Sequence, residues 1–181
     1  MVRYSDFFSS WLYDIDGYYQ NIDSIGKSGD FFTSVSTSSL FGGAIGSYII
    51  KRARDGVFPE KFRIIEIGAD RGYLLGDIIR YIYTEDEKLF KGLEFYIVEP
   101  FAKNRKRQED YFKGHFEGVD IHIVEDIESA KCDIAFIVSN ELFDTFPCEI
   151  YHNNKMAFVE DFKIIFDSPP KEIEEVAKKY R

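Results

Sequence analysis

The chain has 181 residues, with 32 acidic against 23 basic side chains and a formal net charge of -9. A chain of this length can bury a sizeable core without staples, and an aromatic share of 17%, mostly Phe (18) and Tyr (12), excludes intrinsic disorder. The acidic balance excludes a bulk electrostatic grip on nucleic acid, which needs a Lys and Arg surplus to displace counterions.

In chain order, Tyr4 to Asp14 places Phe7, Phe8, Trp11 and Leu12 on one helical face, with Ser5 as its N-cap. Residues 17–32 are rich in Gly, Asp, Ser and Asn and read as loop. Ser36 to Arg54 is helical again, with a stripe of Leu40, Phe41, Ala44, Ile45, Tyr48 and Ile49 that Asp55-Gly56 ends. The pattern then changes. Phe62–Ile67 reads as a buried parallel strand. Leu74, Leu75, Ile78, Ile79 and Ile82 follow at helical spacing. Leu93–Val98 reads as strand, Ala102–Phe112 as helix, and Val119–Val124 and Asp133–Val138 as strands. Strand alternating with helix points to a parallel sheet with helical crossovers. The last stretch reads as a hairpin, Glu149–His152 and Met156–Glu160 around Asn153-Asn154, because that turn favours positive φ. Lys163–Phe166 is a further strand, and a terminal helix over Pro169–Tyr180 starts at Ser168 with Pro169 in its first position.

Cys132 and Cys148 make neither a disulfide framework nor a zinc spacing. His115, His122 and His152 are scattered, so no metal is expected. The N-terminus lacks a charged-then-apolar signal pattern. The longest apolar run, Ile134 to Val138, is far short of the roughly 20 residues a membrane span needs. No membrane span and a cytoplasmic location are therefore expected.

Glu66-Ile67-Gly68-Ala69-Asp70-Arg71-Gly72 follows the first strand of the alternating region and opens a helix. This is where a doubly wound fold takes a nucleotide-like ligand, outside the carboxyl ends of its strands. Gly68 allows a tight turn, Gly72 allows close helix packing, and the helix start offers free N–H groups. Glu99 ends the next strand, where such folds hydrogen-bond ribose hydroxyls. The same residues also fit an ordinary strand-to-helix turn and a solvated strand-end carboxylate. A pyrophosphate needs glycine where Asp70 stands, which disfavours a dinucleotide enzyme.

Four ordered blocks resemble one family. Gly29-Asp30-Phe31-Phe32-Thr33-Ser34 with Leu40-Phe41-Gly42 is similar to its G-D-F-x-T-S…L-F-G block. Glu66-Ile67-Gly68 through Arg71-Gly72 resembles its E-L-G-P-G-R-G turn. Val98-Glu99-Pro100 with Arg105, Arg107 and Gln108 resembles its V-E-P…L-R-x-R-Q. Ser139-Asn140-Glu141-Leu142-Phe143-Asp144 through Pro147 resembles its A-N-E-F-F-D-A-L-P. The family is the MidA-like methyltransferases, which include a mitochondrial complex I assembly factor that methylates an arginine of a complex I subunit.

The resemblance implies an α/β fold, a Rossmann-like class I methyltransferase core with an N-terminal helical extension. The expected division is 1–56 for the extension, 57–148 for the core and 149–181 for a hairpin and terminal helix, with the C-terminal part of the sheet missing. It implies S-adenosylmethionine (SAM) as cofactor, held by Gly29, Asp30, Thr33, Glu66, Gly68, Gly72, Glu99 and Asp126. Asn140, Glu141 and Asp144 would handle the acceptor, an arginine of a protein substrate, because carboxylates grip a guanidinium by its planar fork. Spacing alone reads Asn140 and Asp144 as caps of the turn after the strand, and Asp126 equally as a solvated loop acid. The basic run Lys103, Arg105, Lys106 and Arg107 reads as a solvated helix face. Phe31, Phe32, Phe41 and Tyr18-Tyr19 read either as a roof over the SAM pocket or as packing, and Tyr73 likewise.

Two departures bear on this reading. The turn's middle glycine is Asp70, and the family's P-E-I-S is Val35-Ser36-Thr37-Ser38. At an effective dielectric of ~20, two charges ~4 Å apart interact by about 4 kcal/mol, half of a micromolar affinity. Arg71 is placed to neutralise Asp70. A non-catalytic assembly protein that keeps the fold is the competing reading, and a nucleotide-dependent oxidoreductase the third. The resemblance also leads us to expect an unpaired sheet edge or an apolar face near the C-terminus, covered by the hairpin Glu149–Glu160, the last helix or another chain, as in a homo-oligomer.

Overall fold

The computed structural model describes residues 1–18 and 38–180. The alternating region folds as expected. Strands β2 (Phe62–Ile67), β3 (Leu93–Val98), β4 (Ile121–Val124) and β5 (Ala135–Val138) form one parallel sheet in the order β4-β3-β2-β5. In its register Ile64 lies beside Phe95 and Phe136, and Ile65 beside Tyr96 and Ile137. A central parallel strand is covered on both faces, so adjacent residues can both be apolar. Ile64 and Ile65 are accordingly 0% and 3% exposed.

Helix α3 (Tyr73–Glu85) links β2 to β3, and α5 (Ala102–His115) links β3 to β4. Between them lies the one-turn helix α4 (Glu87–Phe90), started by the Asp86 carboxylate, which accepts from the Leu89 N–H. The face of α3 carrying Leu74, Leu75, Ile78, Ile79 and Ile82 is fully buried in the main core. Each such side chain contributes roughly 2 kcal/mol of transfer free energy. After β4 the chain returns to the far side of β2 and adds β5. The strand order therefore reverses between β2 and β5, and their carboxyl ends flank the switch point of a doubly wound sheet.

Helix α2 (Leu40–Arg54) corrects an expectation. Only part of the anticipated stripe faces the core: Ile49 is buried and Ile45 packs against it, but Leu40 is 79% and Tyr48 54% exposed, and Gly42, Gly46 and Ile50 complete the buried face. The packing face is the one with the least side-chain bulk. A Cβ on Gly42 would stand 2.5 Å from the Asp77 Cβ, and one on Gly46 3.0 Å from the Tyr81 ring. The glycines let the backbone of α2 approach α3, which periodicity of large apolar residues cannot reveal. Gly56 then ends the helix at φ 75°, its N–H bonding to Ala53 O and that of Val57 to Arg52 O. This is a Schellman motif.

Contacts divide the chain into two units, residues 25–142 and residues 1–24 with 143–181. The expected extension over 1–56 is thus shared out, α2 with the parallel sheet and α1 (Tyr4–Tyr13) with the C-terminal strands. In this other unit β1 (Val2–Arg3), β6 (Tyr151–His152), β7 (Lys155–Glu160) and β8 (Lys163–Asp167) make an antiparallel sheet centred on β7. The Asn153-Asn154 turn has φ values of 48° and 62°, as its sequence requires. Ser5 does not cap α1. Arg3 holds that position because β1 runs directly into the helix, and the Ser5 hydroxyl donates to Glu149. The last helix, α6 (Lys171–Lys179), starts after Pro170, so Pro169 is not its first residue. Pro170 disfavours helical backbone at Pro169.

Candidate functional site

The site is built at the carboxyl ends of β2, β3 and β5. Beyond β2 the Gly68 N–H donates to Val98 O, the last residue of β3. Gly68 and Gly72 stand at φ 70° and 81°, where a side chain is strained, and Asp70 between them takes φ 46°. Two close contacts enforce the glycines. A Cβ on Gly72 would lie 2.6 Å from the Phe112 ring of α5, and one on Gly68 2.7 Å from Leu142 Cδ1. The second contact sets Leu142, in the segment after β5, against the turn. Glu141 is exposed and has φ 50°, a second non-glycine residue in the left-handed region.

Three carboxylates meet around this turn. Glu66 is 3% exposed, and its Oε2 accepts from the Leu75 N–H at 3.0 Å. It satisfies one of the free donors in the first turn of α3. Burial pushes its carboxyl up to about 8, opposed by that hydrogen bond and aided by the Asp70 charge. Glu99, 4% exposed, accepts from the Phe101 N–H at 3.0 Å and from the side-chain amides of Asn104 and Gln108. Burial raises its carboxyl too, and the Asp70 charge adds to this. Burial also raises Asp70, and the guanidinium groups of Arg71 and Arg107 lower it in turn. The Gln108 amide donates to Asp70 O at 2.8 Å, tying the turn to α5. The anticipated neutralising partner, Arg71, is thus present and is joined by Arg107.

The basic run is therefore not a uniform solvated face, which corrects the sequence reading. Lys106 is exposed and pairs with Asp110 at 2.8 Å. Arg105 folds inward instead, donating to Glu99 O and Pro100 O and pairing with Glu125 at 3.2 Å beyond β4. Arg107 faces Asp70 electrostatically. Spacing on one helix cannot separate these roles, because the partners come from neighbouring strand ends. The V-E-P…R-x-R-Q block was the available signal.

Other anticipated residues lie apart. Asp126 is exposed, and its carboxylate accepts from the Ser129 N–H and hydroxyl, both at 2.8 Å, which lowers its pKa. It closes a loop turn. Asp144 is exposed in the short 3-10 segment Phe143–Thr145 and belongs to the other compact unit. Gly29, Asp30 and Thr33, with Phe31, Phe32 and Tyr19, fall outside the described residues. Tyr73 packs edge-on against Tyr111, ring centres 5.0 Å apart. Among the described residues no cluster of His, Cys, Asp and Glu could hold a metal, and no helix is long and apolar enough to cross a membrane. A cleft of about 310 Å³ between α2 and α3, lined by Lys51, Arg54, Tyr81 and Glu85, contains none of the turn residues.

The donor set suits a ligand with mixed charge. Beside the glycine turn the buried Arg71 Nε, Asn104 Oδ1 and Gln108 Oε1 have no hydrogen-bond partner. A zwitterionic amino-acid moiety and a ribose would meet both signs of charge and both donors and acceptors here.

Comparisons with known proteins agree with this fold. A family model described as "Putative S-adenosyl-L-methionine-dependent methyltransferase" matches residues 44–177. The chain is 28% identical over 152 residues to "Protein arginine methyltransferase NDUFAF7, mitochondrial" of Bos taurus, covering 72% of this chain and 34% of that protein. The Homo sapiens protein of the same name is 26% identical over 166 residues, with coverages of 81% and 37%. The chain thus spans about a third of the length of these curated relatives. A solved Burkholderia thailandensis structure, a COG1565 superfamily member bound to S-adenosyl-homocysteine, superposes with a TM-score of 0.69 at 20% identity. That match covers 99% of this chain and 48% of the other, and is a likeness of fold.

Proposed function

The chain belongs to the family whose model it matches, that of SAM-dependent methyltransferases, and on that premise we propose that its Gly68 turn binds SAM for methyl transfer to a protein arginine. The observation that carries the proposal is the contact of the Leu142 side chain with Gly68, which brings the chain after β5 to the turn at the switch point of the sheet. When bound, SAM supplies a methyl group already activated on a sulfonium, so the protein mainly positions donor and acceptor. Gly68 and Gly72 give the backbone room. Glu66 holds the turn by capping α3, and Arg71 with Arg107 offsets the Asp70 charge. Glu99 is assigned to the ribose hydroxyls, and Asp126, whose carboxylate closes its own loop turn, keeps the adenine role on the sequence reading alone.

Asn140 and Glu141 are assigned to the acceptor, the carboxylate taking the guanidinium and the amide orienting it. Asp144, Gly29, Asp30 and Thr33 keep their roles from the resemblance alone. Arginine as acceptor follows the names of the relatives. A cytoplasmic location stays part of this reading and is checked by fractionating the native protein. The relatives carry a mitochondrial name.

Calorimetry with SAM and S-adenosyl-homocysteine tests the cofactor, and mass spectrometry of arginine peptides after incubation tests the transfer. Saturable heat with both ligands, abolished by Gly68→Val, is expected. Absence of heat at millimolar SAM overturns the reading. Binding without methyl transfer to any protein of a cell extract favours the competing one, a non-catalytic assembly protein, for which Asp70 in the turn speaks.

A further inference from the structure

The antiparallel sheet ends in a strand with a free edge. Among the described residues β8 pairs with β7 alone. All its residues are exposed, including Ile164 (55%), Ile165 (37%) and Phe166 (40%). The β7–β8 loop has two residues, Asp161 and Phe162, at φ 49° and 58°. Such a loop closes on a pair that exchanges both backbone hydrogen bonds, here Glu160 and Lys163. Alternation then turns the N–H and C=O groups of Lys163, Ile165 and Asp167 toward β7. Those of Ile164 and Phe166 point outward and are unpaired within the sheet.

Edge strands are normally blunted by proline, bulges or inward charges. β8 has none of these at its centre, and its charges stand only at its two ends. We propose that this edge pairs with β8 of a second copy of the chain, antiparallel about a two-fold axis through Ile165. The sequence Lys163-Ile164-Ile165-Phe166-Asp167 is self-complementary in that register. Ile164 meets the second copy's Phe166 as a hydrogen-bonded pair, and Ile165 meets its own copy at the close, non-hydrogen-bonded spacing. Lys163 meets Asp167 at both ends. The neighbouring registers, centred on Ile164 or Phe166, also pair the outward groups but set a charged residue opposite Ile165. The isologous contact joins two four-stranded sheets into one. Five residues a side make a small interface, so the dimer is concentration-dependent, with a Kd on the order of micromolar.

Sedimentation equilibrium of the whole chain from low micromolar to millimolar concentration tests the proposal, with circular dichroism as the check on folding. The wild-type chain is expected to dimerise. Lys163→Glu and Asp167→Lys each put like charges opposite one another twice per dimer, raising its Kd about tenfold or more. An equal mixture of the two variants restores both attractive pairs and is expected to recover the dimer. A wild-type chain that stays monomeric overturns the proposal, as do single variants that dimerise normally or a mixture that does not recover. Hydrogen exchange on the wild type needs no variant. The amides of Ile164 and Phe166 should be protected at high concentration and exchange on dilution; fast exchange throughout sinks the seam.

Discussion

β2 and β8 carry similar local sequences and meet opposite fates. Phe62–Ile67 reads F-R-I-I-E-I and Lys163–Asp167 reads K-I-I-F-D, each with adjacent isoleucines among charged residues. In β2 those isoleucines are 0% and 3% exposed, and in β8 they are 55% and 37%. β2 has a strand on each side and a helical layer packed on it, whereas β8 has one strand on one side. Burial is thus a property of the neighbours rather than of the apolar run.

The charged residues teach the same lesson. Glu66 in β2 is buried, retained because it caps a helix whose donors would otherwise be empty. Lys163 in β8 is exposed, and nothing in its own strand demands it.

The largest expected effect separates the two strands. Ile64→Ala should cost about 3–4 kcal/mol in urea unfolding, through lost transfer energy and a cavity that cannot collapse. Gly72→Ala comes next, at about 2–3 kcal/mol, because it combines strained φ with a Cβ driven into the Phe112 ring. An unchanged urea midpoint for Gly72→Ala would mean that α5 moves freely, and the turn would lose its rigidity as an argument.

Glu66→Gln sharpens the comparison through pH. The Glu66 carboxyl rises from 4.5 to about 8 on folding, so the native state keeps a proton that the unfolded chain has released. Its contribution is therefore fully present below pH 4.5 and lost as pH rises through about 8, with a slope of up to about 1.4 kcal/mol per pH unit. The glutamine variant keeps an acceptor for Leu75 and should flatten that loss in thermal melts across the window. An unaltered profile would assign the pH dependence elsewhere.

In the proposed site Asp70→Gly should tighten SAM binding by about tenfold, since it would remove a carboxylate from beside the ligand's own. Arg71 and Arg107 limit the gain. Equal affinities in the two proteins would mean that those arginines neutralise Asp70 completely. The smallest effect belongs to β8, where Ile164→Ala should change monomer stability by about 0.5 kcal/mol or less. A loss matching that of Ile64→Ala would break the comparison outright.

Much of this was legible beforehand. The strand and helix runs from Phe62 to Val138, the Asn153-Asn154 turn and the glycine turn all follow from local periodicity and from φ requirements that few residues meet. The resemblance named Glu66, Gly68, Gly72 and Glu99 together, and the structure sets them around one turn and its neighbouring strand end. The packing face of α2 was not legible, because Gly42 and Gly46 contribute by what they lack. The inward turn of Arg105 and the capping role of Glu66 were hidden as well, since each partner lies on another element.

By itself, then, the sequence determined the alternating strand and helix order, the family and the turn at Gly68, because these rest on short-range sterics and on ordered local motifs. Tertiary structure alone decided which isoleucines are core and which lie on an open edge, which arginines face Asp70, and that Leu142 closes on the turn. Those outcomes depend on groups brought together from distant parts of the chain, and a residue's burial and charge environment exist only once those groups have met.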